Sequence, residues 1–285
     1  MDARMGGLAV AGEPVGECKP VIDVQGLPDD RQIDIDKVGV RDIEYPITVM
    51  DRAQETQQTV AKVSLYVNLP RQFKGTHMSR FVELLNEHRH DMSTLAIPNI
   101  LRAMRKRLRA RTAHLKVEFP FFLLKKAPIS GAAGLMSYRC IARGEGTADR
   151  VTQTFEVQVP ITALCPCSKA ISDAGAHNQR GLVSVQVRMR QLVWFEEIIR
   201  IVEESGSCEV YSVLKREDEK YVTEKAYDNP MFVEDVAREV AGKLIRDARI
   251  AWFSVAVENQ ESIHAHNAYA YIEREVPRRR KRRGA

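Results

Sequence analysis

The chain has 285 residues, and 43 lysines and arginines against 38 aspartates and glutamates give a net charge of +5. With 44% apolar and 28% charged residues it can bury a large core, which excludes a disordered chain and allows two packed units. No apolar run approaches the ~18 residues of a membrane span, and no stretch after Arg4 suits a secretory signal, so a soluble cytoplasmic protein is expected.

Residues 1–35 carry Gly6, Gly7, Gly12, Pro14 and Pro20 without a sustained period and read as a mobile leader. Residues 38–50 open the ordered part. In 60–69, Val63, Leu65, Val67 and Leu69 alternate with polar residues, the period of a half-buried strand. Met78, Phe81, Val82 and Leu85 form a helical stripe. A second helix is predicted over 98–109, where Pro98 suits the first turn. Strands follow at 113–124 and 134–142. The order then recurs: strands at 151–159 and 182–189, a helix over 194–204, and a second helix over 231–246 opened by Asn229-Pro230. Strands at 250–257 and 268–275 close it.

An α+β protein of two tandem ββααββ units is therefore predicted, with antiparallel sheets and a helix pair on one face of each. The units span 36–147 and 148–276, leaving 277–285 as a basic tail. That tail holds six cations, Arg278 to Arg283, and without them the net charge falls from +5 to −1. A run of like charges is expected to be solvated and disordered. The folded body is not basic, so no specific nucleic-acid partner is expected, though salt-sensitive polyanion binding by the tail is allowed.

The cysteines, Cys18, Cys140, Cys165, Cys167 and Cys208, are too few and odd in number for a secreted disulfide scaffold. Two of them fall in TALCPCSKAISDAGAHNQRG, residues 162–181, a connection too long and polar for a hairpin. Pro166 favours extended backbone before it, which would set Cys165 and Cys167 on one face about 6–7 Å apart, too far for a disulfide. A thiolate and the His177 imidazole are donors for a borderline metal such as zinc. Two small buried cysteines and a backbone-bonded histidine would explain the same spacing equally well. Lys169 and Arg180 add anion-binding groups to the loop. Glu258, Glu261, His264 and His266 form a second cluster at a strand end, suited to acid–base work or to a solvated turn. Glu217, Asp218 and Glu219 read as loop acids, and Glu234, with Arg238 at i+4, as a surface pair.

Taken together, LCPCSKAIS…GAHNQR, LKREDEKYVTEKAYDNPMFVEDVAR, ENQESIHAHNAYA and KGTHMSRFVE resemble the blocks of the prokaryotic type IB GTP cyclohydrolase I family, in family order over about 35–275. The resemblance implies tandem tunnelling-fold units that close into a barrel on assembly as a homotetramer. It implies conversion of GTP to 7,8-dihydroneopterin triphosphate and formate, at the start of folate synthesis. It further implies one divalent metal (zinc, manganese or iron) held by Cys165, His177 and Glu219, with Glu217 and Asp218 as neighbouring alternatives for the third ligand. Cys167, Glu261 and His264 match active-site positions, and Glu234 matches the guanine anchor. Lys169 and Arg180 are candidates for the triphosphate. His77 and Arg80 are expected to reach a site from a different unit. Three other readings remain open: an archaeal-type variant giving a cyclic phosphate, the nitrile reductase sharing this fold (whose lysine-rich motif is missing), and a non-enzymatic metal protein with a polyanion-binding tail.

Overall fold

The strand periods continue beyond their predicted ends in the structure, a computed structural model that describes residues 23–93 and 95–278. The first unit runs β1 (Ile35–Asp51), β2 (Glu55–Leu69), α1 (Ser79–His88), α2 (Ile97–Arg107), β3 (Ala113–Lys126) and β4 (Ala133–Gly146). The second runs β5 (Val151–Leu164), α3 (Pro166–Ile171), β6 (Asn178–Met189), α4 (Phe195–Glu203), β7 (Cys208–Glu209), α5 (Arg216–Asp228), α6 (Val233–Leu244), β8 (Ile250–Asn259) and β9 (Ala268–Glu275). All described strand pairs are antiparallel, in one nine-stranded sheet of order β1-β2-β3-β4-β5-β6-β8-β9, with β7 paired to β5.

One face of this sheet makes the core. Alternate residues such as Leu65 and Val67 on β2, Val157 and Val159 on β5, and Val183 and Val185 on β6 are buried there. Against them lie Ile97, Ile100, Leu101 and Met104 of α2, Ile198 and Val202 of α4, and Val236, Val240 and Leu244 of α6. Each such side chain contributes roughly 1.5–3 kcal/mol when fully buried, which overrides the modest helix propensity of the β-branched residues. A Cβ on Gly144 would come within 2.7 Å of Ile97 Cγ2, so the glycine lets α2 approach β4 closely.

Three expectations change. The acids at 217–219 lie in α5, not a loop, because Asp218 at its third position accepts the Lys215 N–H at 2.8 Å and starts the helix. Asn229-Pro230 does not open α6. Asn229 ends α5, and α6 begins after Phe232, whose N–H is accepted by Asp235 at 3.1 Å. The 162–181 connection is shorter than it reads, since the β5–β6 ladder continues to Leu164↔Asn178. Of the segment read as a mobile leader, Val24–Gly26 forms a 3-10 turn, and the carbonyls of Gln25 and Leu27 accept from Gly75 and Lys74. Residues 1–22, and the tail beyond Arg278, lie outside the described residues.

Candidate active site

Where β5 and β6 end, the backbone N–H of Cys165 donates to the carbonyl of His177 at 3.1 Å, which brings the ends of the connecting segment together. Cys165 caps α3, and its sulfur accepts the Ser168 N–H at 3.4 Å. With Pro166 at the helix start, Cys167 falls in the first turn of α3 and is exposed. The shared extended face expected for Cys165 and Cys167 is therefore absent. A proline that favours extension before itself also suits the first turn of a helix, and the helix won.

A cavity of about 260 Å³ opens beside this corner. Into it converge Cys165 and His177 from the loop, Glu234 from the first turn of α6, and Glu261 and His264 from the β8–β9 connection. The side chains of His177 and Glu261 are 11% and 10% exposed, with Nδ1 and Oε2 3.7 Å apart. Gln179 links them: its Oε1 lies 2.8 Å from His177 Nδ1, and its Nε2 donates to Glu261 Oε1 at 3.5 Å. With the amide oriented this way, Nδ1 carries the ring proton and Nε2 keeps a lone pair for a ligand. His264 stands edge-on to His177 at 6.3 Å and stacks on His266 at 5.2 Å.

Two buried polar atoms here, Asn259 Oδ1 and Glu261 Oε2, have no hydrogen-bond partner among the described residues. Such atoms cost free energy when left dry, and they mark where a ligand or water would be satisfied. Glu234 forms no ion pair among the described residues, because Arg238 reaches Asp235 instead, at 3.5 Å. The surface pair read from the i+4 spacing gives way to a carboxylate on the cavity wall.

The other candidates lie elsewhere in the single chain. Glu219 and Glu217 are exposed on α5, outside the cavity lining. Asp218 is spent structurally, accepting from Ile129 N–H, Ser130 N–H, Ser130 Oγ and Lys215 N–H. Burial pushes its carboxyl up, but these hydrogen bonds outweigh that and hold it well below the usual range. Lys169 donates to the Tyr227 carbonyl and covers the Tyr227 ring at 4.2 Å. Arg180 is exposed on β6. His77 lies 3.4 Å from Asp23, and neither it nor Arg80 lines the cavity. Gln179 and Asn259 were missed as site residues. Gln179 follows His177 by two along extended chain, so the period of two was its available signal.

The donor types fit one borderline divalent metal: a thiolate, an imidazole with a free nitrogen, and an unsatisfied carboxylate oxygen around one cavity. Among the described residues, no three His, Cys, Asp or Glu side chains already enclose an ion position.

The sheet identifies the fold first. The structure aligns with urate oxidase from Bacillus sp. TB-90 at TM-score 0.52 and 10% identity, over 85% of this chain and 99% of that one. This likeness at low identity establishes the tunnelling fold alone. The sequence narrows it further. Residues 21–270 match the family described as type I GTP cyclohydrolase folE2. The chain is 53% identical to GTP cyclohydrolase FolE2 of Magnetococcus marinus, over 89% of this chain and 96% of that protein. It is 55% identical to GTP cyclohydrolase FolE2 of Syntrophobacter fumaroxidans, over 89% and 99%. The chain belongs to the type I GTP cyclohydrolase family.

Proposed function

We infer that the chain hydrolyses GTP to 7,8-dihydroneopterin triphosphate and formate, the entry to folate synthesis. The observation that carries this reading is the convergence of Cys165, His177, Glu234, Glu261 and His264 on one cavity. Opening guanine's imidazole ring needs water added at C8, protonation of a ring nitrogen, and release of C8 as formate. Glu234 would anchor the base by accepting from guanine N–H groups. Glu261 and His264, both on the cavity wall, would pass protons through ring opening, sugar rearrangement and reclosure. Cys167 would join them once the α3 turn adjusts around substrate. Lys169, Arg180, His77 and Arg80 are proposed for the triphosphate, the last two from a neighbouring unit.

Cys165 and His177 would hold a divalent metal, zinc, manganese or iron, with Glu219 as the third ligand implied by the family. Glu261 offers a competing carboxylate, favoured by its unsatisfied Oε2 on the wall of the same cavity. A metal held there supplies Lewis acidity that activates water near neutral pH. Gln179 would keep His177 Nε2 directed at it. Metal content of purified Glu219→Ala and Glu261→Ala separates the two assignments, because only loss of a ligand empties the site.

A homotetramer in the cytoplasm is proposed. The outer edges of β1 and β9 end the described sheet, and edge strands of this length are normally covered or paired. Pairing between copies would close barrels and bring His77 and Arg80 to a neighbour's cavity. Incubation with GTP and a divalent metal should release formate and a pterin that fluoresces after oxidation. Absence of both products across several metals would overturn the reading, and the phosphate form of the product separates the linear from the cyclic outcome.

A further inference from the structure

A second cavity, of about 430 Å³, lies at the other end of the β5–β6 pair. From Thr154 to Cys165 the extended chain runs about 35 Å at ~3.3 Å per residue, so this cavity is remote from the one holding His177. It exists because the strand ladders are staggered. The β4–β5 ladder begins at Val151, whereas the β5–β6 ladder begins only at Phe155↔Val187. Residues 151–154 therefore turn one backbone edge toward open space, with the end of β6 across from it.

The lining of that gap is strongly basic. Arg150, Arg188 and Arg190 line it, and an adjoining cavity of about 190 Å³ shares Arg150 and adds Arg102 and Arg105. Asp149 is the one acid lining either cavity. None of these five arginines pairs with a carboxylate among the described residues. Arg188 covers the Trp252 ring at 4.5 Å and reaches Thr154 Oγ1 at 3.5 Å. Arg105 donates to the carbonyls of Arg111 and Thr147, and Arg190 to those of Ala248, Ile250 and Val276. Arg249 makes the contrast: it is gripped by Asp247 at 2.7 Å and Glu197 at 3.1 Å.

The basic tail starts at this place. Arg190 holds the carbonyl of Val276, which is 4% exposed, and the six cations of 278–283 begin two residues later. Uncompensated guanidinium groups around a concave site create a local field that concentrates anions. The volume is that of a small-molecule site rather than of a nucleic-acid surface.

We propose that the cleft between α2 and the start of β5 binds a small polyphosphate anion, as free tripolyphosphate or as the phosphate chain of a nucleotide, at a site separate from the catalytic cavity. Arg150, Arg102 and Arg188 supply the free donors, while Arg190 and Arg105 supply charge. Arg188 also couples the site to Trp252, which gives an optical signal.

Titration of the full chain with inorganic tripolyphosphate, and in parallel with ATP, tests this by tryptophan fluorescence and calorimetry at two salt concentrations. Saturable, salt-sensitive binding is expected, weakened at least tenfold in Arg150→Ala and in Arg188→Lys, with the KM for GTP unchanged. Deleting 277–285 should weaken it about threefold. Tighter binding of ATP than of tripolyphosphate would assign the nucleotide as source, and equal binding the phosphate chain alone. Arg150 sits in an exposed turn, so its variant reports even if Arg188→Lys fails to fold. Unchanged affinity in Arg150→Ala, loss of binding in Glu234→Ala, or binding of a single-stranded oligonucleotide without tripolyphosphate would each overturn the proposal.

Discussion

The two units use the same corner of the sheet in opposite ways. In the first, β1 turns into β2 at Asp51, which is buried and accepts from Ala53 N–H, Gln54 N–H and Gln57 Nε2 at 2.7–3.1 Å. In the second, β5 turns toward β6 through Cys165–His177, beside Glu261 Oε2 and Asn259 Oδ1, which have no hydrogen-bond partner among the described residues. The first carboxylate is consumed by the fold and the second is left for something else. Residue type alone does not separate a structural acid from a functional one, whereas hydrogen-bond satisfaction does.

The largest effect expected from this contrast is on Glu234→Ala. The family reading gives the carboxylate two hydrogen bonds to the base, and charged hydrogen bonds contribute about 1.5–3 kcal/mol each. A fall in kcat/KM of roughly 10²–10⁴ is expected by formate release, with Tm unchanged because no ion pair is lost. Wild-type kinetics in this variant would break the distinction. Cys165→Ala and His177→Ala should also lower turnover, but with loss of bound metal, whereas Glu234→Ala should keep the metal.

Asp51→Ala should do the reverse, lowering stability by about 1–3 kcal/mol in denaturant titration while keeping most of the activity. Asp218 sharpens the same point through pH. Its folded pKa is depressed, so its contribution is present above the unfolded value of 3.8 and is lost as pH falls below that toward the folded value. Asp218→Asn should lower Tm at pH 7 and flatten the loss of stability below pH ~4.

Gly181→Ala tests how tightly the open corner is built. A Cβ there would lie 2.6 Å from Asn259 Oδ1 and 3.1 Å from Ile161 Cγ1, so a cost of about 1–3 kcal/mol is expected, with the cavity wall displaced. The smallest effect belongs to removal of 277–285, which should leave turnover and the assembly nearly unchanged. A large rise in the KM for GTP would show the tail serving the catalytic site.

Periodicity by itself determined most of the scaffold. Val63, Leu65 and Val67 had to share one face of a strand, and Ile198, Ile199 and Val202 one face of a helix, because side-chain direction follows from backbone geometry. The motif around Cys165 and His177 stood out in the sequence, but its spacing alone suited two packed cysteines and a backbone-bonded histidine equally well. Helix α5 was not legible, because its buried face offers little beyond Asp218 and Ala226, and a polar segment reads as loop until a cap is seen. Only the tertiary structure placed Cys167 away from Cys165, turned Arg238 to Asp235 and left Glu234 free. It alone joined Gln179 to both His177 and Glu261, and gathered arginines from α2, the β4–β5 connection and the end of β6 around adjoining cavities. Local spacing fixes which residues share a face, but whether a polar atom is satisfied depends on chain that arrives from far away in sequence.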